Sequence, residues 1–224
     1  MDTPKIGVLG GYGYTGSLLV RLLLEHTGAR LVVAGRNPRR AKEAAGRWNQ
    51  QFPGERVCGV YADASCAHSL WEAFEGVDLL VVAAPVVRYV ETVARAALRV
   101  DCDYLDILLS TKKLRVLRAP ENSIVQAGRT FITEAGYTPG LPALLVRYAG
   151  CQLSQLEVAN VFSVVNPQGG FPLGGRCTSS PTNWRVCSAW HIETEGGIGQ
   201  QDWDHQRCAK QTLGSVLERV SACP

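Results

Sequence analysis

The chain lacks any apolar run long enough to cross a bilayer. Its longest nearly apolar stretch is Leu79 to Val87, well short of the roughly 20 residues that a spanning helix needs. It also lacks a cleavable leader pattern, since the apolar run beginning at Ile6 follows a single Lys. These absences predict a cytoplasmic protein with no membrane partner. The basic residues form no long run and the net charge is only +3, which argues against the dense basic face of a nucleic-acid binder. Eight cysteines are present, Cys58, Cys66, Cys102, Cys151, Cys177, Cys187, Cys208 and Cys223, but no two form a Cys-x-x-Cys pair. Zinc and thioredoxin-like patterns are therefore missing. The expectation is free thiols, several buried as small hydrophobes, and no metal site. His26, His68, His191 and His205 are not spaced as a ligand set either. No internal repeat and no low-complexity tract interrupts the 224 residues.

What is present is a regular alternation. Apolar residues make up 46% and charged residues 19%, the balance of a chain with a sizeable core. Short apolar runs at Lys5 to Leu9, Leu31 to Ala34, Arg56 to Tyr61, Asp78 to Ala83, Asp103 to Leu108 and Thr130 to Glu134 read as strands. Between them lie helical patterns. Thr15 to Glu25 carries Leu18, Leu19, Leu22 and Leu23 on one face, Pro38 opens a helix continued by Ala41 to Trp48, and Ala67 to Phe74 stops at Gly76. Val86 to Val100 follows, then a polar helix interrupted by Pro120. Strand and helix alternating at this pitch predict an α/β fold, a doubly wound parallel sheet of Rossmann-like type.

The segment Gly11-Tyr12-Gly13-Tyr14-Thr15-Gly16 reads G-x-G-x-x-G. It follows a strand and opens a helix, the context in which this motif binds a pyrophosphate. The first glycine is expected to permit the tight turn, the second to let backbone approach the phosphates, and the third to let helix and strand pack closely. The helix N-terminus offers N–H groups and a positive dipole end. The second strand ends Ala34-Gly35-Arg36-Asn37, with Arg39 and Arg40 close behind. A carboxylate at this point grips the ribose 2′-hydroxyl of NAD. A guanidinium instead pairs with the 2′-phosphate that marks NADP, so NADP is the expected cofactor. Asp63, after the third strand, either accepts from the adenine amine or caps the next helix. Ala83, Ala84 and Pro85 after the fourth strand let the cofactor pass close to backbone, or make a plain strand-to-helix turn.

The run Ile6 to Gly16, then Ala34 to Asn37, Val57 to Asp63 and Tyr104-Leu105-Asp106, resembles the NADP-binding domain of saccharopine dehydrogenase-like proteins. Glu134-Ala135-Gly136-Tyr137-Thr138-Pro139-Gly140-Leu141-Pro142 is similar to that family's loop after the sixth strand. The resemblance implies an oxidoreductase that passes a hydride to or from NADP(H) at a carbon–nitrogen or carbonyl group of an amino-acid-like small molecule. It implies cofactor contacts from the glycine loop, Arg36, Asn37, Arg39, Asp63, Ala84, Pro85 and Gly136, and it leaves a homodimer open. Leu108 and Leu109 stand where the family commonly has Gly-Glu, and the resemblance fades after Ala149. Other readings are a non-catalytic NADP-binding regulator or fragment, and a semialdehyde dehydrogenase-like reductase with Cys151 as nucleophile. Gly10-x-x-Gly13-x-x-Gly16 also fits atypical short-chain dehydrogenases, but no Tyr here has the Lys four residues on that those enzymes use.

Beyond about Val165 the pattern changes. Gly169, Gly170, Gly174 and Gly175 crowd together, the apolar period weakens, and Trp184, Trp190 and Trp203 fall in a stretch with no strong amphipathic helix before Thr212 to Val220. The expected division is a dinucleotide-binding domain at 1–149 and a partial second domain or irregular tail at 150–224.

Overall fold

Strands β1 (Lys5–Leu9), β2 (Arg30–Gly35), β3 (Val57–Tyr61) and β4 (Leu79–Val82) are short and rich in Val and Leu. Runs of this kind suit strands buried on both faces. The structure is a computed structural model and describes residues 3–108, 110–137, 140–153, 158–165 and 185–193. β5 (Asp103–Asp106) and β6 (Phe131–Ile132) complete a six-stranded sheet of order β3-β2-β1-β4-β5-β6. All five pairings in it are parallel. Strand order reverses between β1 and β4, and in such sheets ligands bind at that switch point, beyond the carboxyl ends of the strands.

Alternate residues feed two cores. Leu31, Val33 and Val81 point to one, with Val20 and Leu24 of α1 (Tyr14–His26) and Ala44 and Ala45 of α2 (Pro38–Gln51). Val32, Ala34, Leu80 and Val82 point to the other, with Leu70 and Phe74 of α3 (Ala67–Phe74) and Val93 and Ala97 of α4 (Val90–Arg99). The doubly wound parallel sheet anticipated from the alternation is what the chain forms.

Details depart from the sequence reading. The buried face of α1 is Gly16, Val20 and Leu24, with Leu19 and Leu23 packed partly against the same core, while Leu18 and Leu22 are about half exposed. Gly16 sets this register: a Cβ there would lie 2.1 Å from the Gly10 carbonyl oxygen, so only its glycine row can approach the β1 turn. The helix expected from Val86 opens as a 3₁₀ turn, Val87–Tyr89, and becomes α-helical only at Val90. The strand expected to run to Leu108 ends at Asp106, whose carboxylate accepts the Leu108 N–H and so takes that donor out of the ladder. The polar stretch after it is α5 (Thr111–Arg118) and α6 (Glu121–Gln126). Of the four described cysteines only Cys102 is buried, whereas Cys58, Cys66 and Cys151 are exposed. Burial pushes the Cys102 thiol up to about 12.

Two compact units are present, Met1–Leu141 and Pro142–Pro224. The second holds most of α7 (Gly140–Gly150) and an antiparallel pair, β7 (Val158–Val165) with β8 (Arg185–Glu193). The stretch read as aperiodic thus contains a nine-residue strand. In sequence its apolar residues, Val186, Trp190 and Ile192, are interleaved with small and polar ones, Ser188, Ala189 and His191, and its pairing with β7 has a register shift, so no clean alternation shows. The glycine cluster and the Thr212 to Val220 pattern lie outside the described residues.

Candidate functional site

The turn after β1 is built by Gly10. It has φ +88°, and a Cβ there would sit 2.9 Å from the Ala84 Cβ and backbone nitrogen. The tight turn assigned from sequence to Gly11 therefore belongs to its neighbour, since Gly11 has no positive φ and packs over Val8 and Val33. Gly10 also joins the strands beyond the turn, with its N–H donating to the Ala34 carbonyl at 2.8 Å. Gly13 is the N-cap of α1, with an extended backbone and no side chain to close the helix end. A Cβ on Gly13 would meet only the Gly10 carbonyl oxygen, at 3.1 Å, so the space in front of the helix is open because this residue is glycine. No acidic residue occupies the first turn of α1 to oppose an anion there.

Around that turn lies a cavity of about 320 Å³. Leu9, Gly10, Tyr12 and Gly13 form its floor, Gly35 and Arg36 one wall, Ala62 to Ser65 the next, and Ala83 to Val86 with Tyr89 the last. Of the residues singled out in the sequence, Tyr12, Gly13, Arg36, Asp63, Ala84 and Pro85 meet here. Gly11 and Gly16 lie beneath it as packing glycines. Tyr14 and Thr15 are on the exposed first turn of α1. Asn37 is the N-cap of α2, its Oδ1 taking the Arg40 N–H at 3.0 Å. Arg39 turns outward and pairs with Glu43 at 2.8 Å. Gly136 is elsewhere, against the Ile107 carbonyl after β5, where a Cβ would come within 2.7 Å.

Asp63 resolves one of its two readings. Its Oδ1 accepts from the Ser65 N–H at 2.9 Å and the Ser65 hydroxyl at 2.8 Å. The N-cap of α3 is Cys66, which makes no side-chain cap, so Asp63 closes a local turn instead of capping the helix. The Ser65 N–H is the main reason its carboxyl is held below the usual carboxylate range, and the Arg36 guanidinium adds to this. Asp63 is thus an ionised acceptor at the cavity wall.

A second polar cluster sits at the carboxyl ends of β5 and β6, and sequence reasoning did not find it. Asp106 is fully buried and is the hub. Its Oδ2 accepts from the Tyr104 hydroxyl at 2.8 Å and the Thr133 hydroxyl at 2.9 Å, and its Oδ1 from the Leu108 N–H at 3.0 Å. The buried Lys113 ammonium donates to Oδ1 as well and to the Leu108 carbonyl. Glu134 stands beside them in the left-handed region, φ +62°. Among the described residues its buried Oε1 has no hydrogen-bond partner. Burial raises its carboxyl above the usual range, while the Lys113 ammonium and the Ser110 N–H pull the other way. Burial likewise raises the Tyr104 phenol. Cys151 is exposed after α7 with its Sγ on the Arg147 carbonyl at 3.3 Å. Among the described residues no group of His, Cys, Asp and Glu is placed to hold a metal, and no helix is long and apolar enough to cross a membrane.

What the edge over β1, β2 and β4 can hold is a dinucleotide: a bare helix end for the pyrophosphate, small residues along its path and a guanidinium at the ribose end. The fit to such a ligand rests on Gly13, where a side chain would meet only the Gly10 carbonyl oxygen and stand in the space in front of α1. Residues 6–132 match the family of the saccharopine dehydrogenase NADP binding domain. That is more than half of the chain, and the chain belongs to this family. NADP is accordingly the cofactor of the domain. Among solved structures, the saccharopine dehydrogenase (L-Glu forming) of Saccharomyces cerevisiae is similar in fold at a TM-score of 0.60 and 18% identity, over 73% of this chain. The match covers 35% of that enzyme, so this chain spans about a third of its length. The triphenylmethane reductase of Citrobacter sp. complexed with NADP(H) aligns at a TM-score of 0.43 and 22% identity, over 56% of this chain and 48% of that one. A short-chain dehydrogenase/reductase of Veillonella parvula in complex with NADP aligns at 0.43 and 15%, over 59% of this chain and 68% of that one. No curated protein matches the sequence.

Proposed function

We propose that this chain is the cofactor-holding part of an NADP-dependent oxidoreductase acting at a carbon–nitrogen or carbonyl group of an amino-acid-like substrate. The observation that carries the cofactor part is the cavity that joins the glycine turn to Arg36. Bound there, NADP(H) supplies or accepts a hydride. The chain's own residues bind and orient it. Gly13 and the N-terminus of α1 take the pyrophosphate, Asp63 accepts from the adenine amine, Arg36 pairs with the 2′-phosphate, and Ala84 and Pro85 let the ribose pass close to backbone. The substrate part rests on family membership. The exposed thiols of Cys58, Cys66 and Cys151 suit a reducing, cytoplasmic setting.

The cofactor reading is tested by fluorescence titration with NADPH and NADH. Wild-type protein is expected to prefer NADPH, and Arg36→Asp to lose about 10- to 100-fold in NADPH affinity while NADH is unchanged or improved, as for one charge-assisted contact. Equal affinity of the wild type for both, or a preference that survives Arg36→Asp, counts against it.

A hydride acceptor has to be held against the cofactor with an acid or base at its nitrogen or oxygen. In doubly wound enzymes the far wall of that site comes from structure beyond the sheet. Since this chain spans only 35% of the yeast enzyme, we expect it to bind cofactor but turn over little by itself. Incubation with NADPH and imine-forming pairs of amino acid and semialdehyde checks this. Saturable oxidation of NADPH would show that residues 150–224 build a working substrate site.

A further inference from the structure

Tyr12 is larger than a phosphate-binding turn requires, since such turns use backbone N–H groups. Its side chain bridges instead to the connection between β2 and α2. The Tyr12 hydroxyl accepts the Asn37 N–H at 3.0 Å. The ring lies against Gly35 so closely that a Cβ on Gly35 would come within 2.6 Å of the hydroxyl oxygen and 2.7 Å of a ring carbon. Gly35 therefore has a definite reason to be glycine, and that reason is Tyr12. The Arg40 guanidinium lies over the same ring, 5.0 Å from its centroid. Such a contact holds a cation electrostatically without neutralising it. Arg39, by contrast, is engaged with Glu43 and its side chain is 88% exposed.

A phenol hydroxyl has one proton to give and two lone pairs to offer. Asn37 uses a lone pair, and among the described residues no acceptor takes the proton. Tyr12 and Arg36 line the same cavity. We infer that Tyr12 is a specificity-determining residue for a ribose 2′-phosphate, donating its hydroxyl proton to a phosphate oxygen and presenting Arg40 beside Arg36. This rests on the NADP reading above and deepens it. A phosphate monoester carries close to two negative charges near neutral pH. A ribose hydroxyl carries none, so one neutral donor and two cations gathered at this corner discriminate between the two.

The test uses the fragments 2′,5′-ADP and 5′-AMP, which differ only by the 2′-phosphate, in calorimetric titrations at several salt concentrations. Tyr12→Phe keeps the ring and the Arg40 contact and removes the proton. It is expected to weaken 2′,5′-ADP roughly tenfold and 5′-AMP less than about twofold, with no change in the salt dependence, since no charge is lost. Arg40→Gln weakens 2′,5′-ADP and also flattens its salt dependence. Gly35→Ala, which removes no charge and no donor, displaces the Tyr12 ring and lowers the ratio of the two affinities in the same direction. The double variant Gly35→Ala with Tyr12→Phe falls no further than Gly35→Ala alone. A ratio that survives Tyr12→Phe, or equal losses for both fragments, overturns the assignment of Tyr12 while leaving the NADP reading in place. A wild-type protein that does not distinguish the fragments overturns both.

Discussion

Lys113→Met is expected to cost the fold about 3–5 kcal/mol, the range for removing one partner of a buried ion pair. Both side chains of the Lys113–Asp106 pair are fully buried. Methionine matches the lysine stem in length but leaves the Asp106 carboxylate with neutral donors only, namely the Tyr104 and Thr133 hydroxyls and the Leu108 and Glu134 N–H groups. The Leu108 carbonyl loses a donor as well. Guanidinium unfolding measures the loss. The double variant Lys113→Met with Asp106→Asn removes both charges, and it is expected to recover a good part of the stability because no uncompensated ion is left inside. A single-variant loss below about 1 kcal/mol would mean that the Lys113 ammonium adds little to what the neutral donors already supply.

Glu134 adds a pH signature to the same cluster. Its carboxyl is raised above the ordinary glutamate value of 4.5, chiefly by burial. A raised folded-state value means that the folded protein favours the protonated form. The stability it contributes is fully present below the unfolded value and is lost as pH rises through the folded one. Glutamine cannot ionise. Glu134→Gln should therefore gain on the wild type as pH rises above about 4.5 and stop gaining once pH has passed the raised folded-state value, and thermal melts at four or five pH values would follow it. A difference independent of pH would show that Glu134 is not burdened by burial.

Gly13→Val is expected to weaken NADPH binding by about 100-fold or more, some 2.7 kcal/mol, with little change in the fold. The backbone at Gly13 is extended, φ −77° and ψ 174°, a region that valine prefers. A Cβ there touches only the Gly10 carbonyl oxygen, at 3.1 Å. The two methyls then project into the space in front of α1 that the pyrophosphate needs. Circular dichroism and melting should stay near wild type while fluorescence titration loses its signal. Normal binding by this variant would place the phosphates elsewhere. Gly16 makes the contrast, because its Cβ would run into the Gly10 carbonyl and the damage would fall on the fold instead.

The sheet was legible because each buried strand is a short apolar run and each helix between has a start or a stop, such as Pro38 or Gly76. Spacing along the chain carries that information. The face of α1 was read only in part, Leu19 and Leu23 packing on the core and Leu18 and Leu22 not, because four leucines outweigh one glycine in any count of apolarity, whereas the packing depends on where backbone can come close. Which glycine makes the turn was misread for a related reason: Gly10 and Gly11 differ in φ, and φ is set by the Ala84 backbone arriving from β4. The cluster around Asp106 left little trace. Lys113 lies among Lys112, Arg115 and Arg118 in a helix that reads as solvated, and its burial depends on β5 and β6 being neighbours. Tyr12, in the turn after β1, and Arg40, in the first turn of α2, meet only once the chain is folded. The one available hint was a bulky aromatic where the glycine motif asks for nothing in particular.

The order of the strands has a consequence for how the chain is made. β1 lies between β2 and β4, and the Lys5 N–H bonds the Asp78 carboxylate 73 residues away. On a ribosome adding about 5–20 residues per second, the second edge of β1 emerges several seconds before its partner exists. β2 and β3 can dock meanwhile, since their pairing needs only the residues up to Tyr61. The uncovered edge, Ile6 to Leu9, is apolar and flat, the type of edge that recruits the wrong strand. The central seam of the six-stranded sheet is thus the part of it that waits longest and unprotected during synthesis.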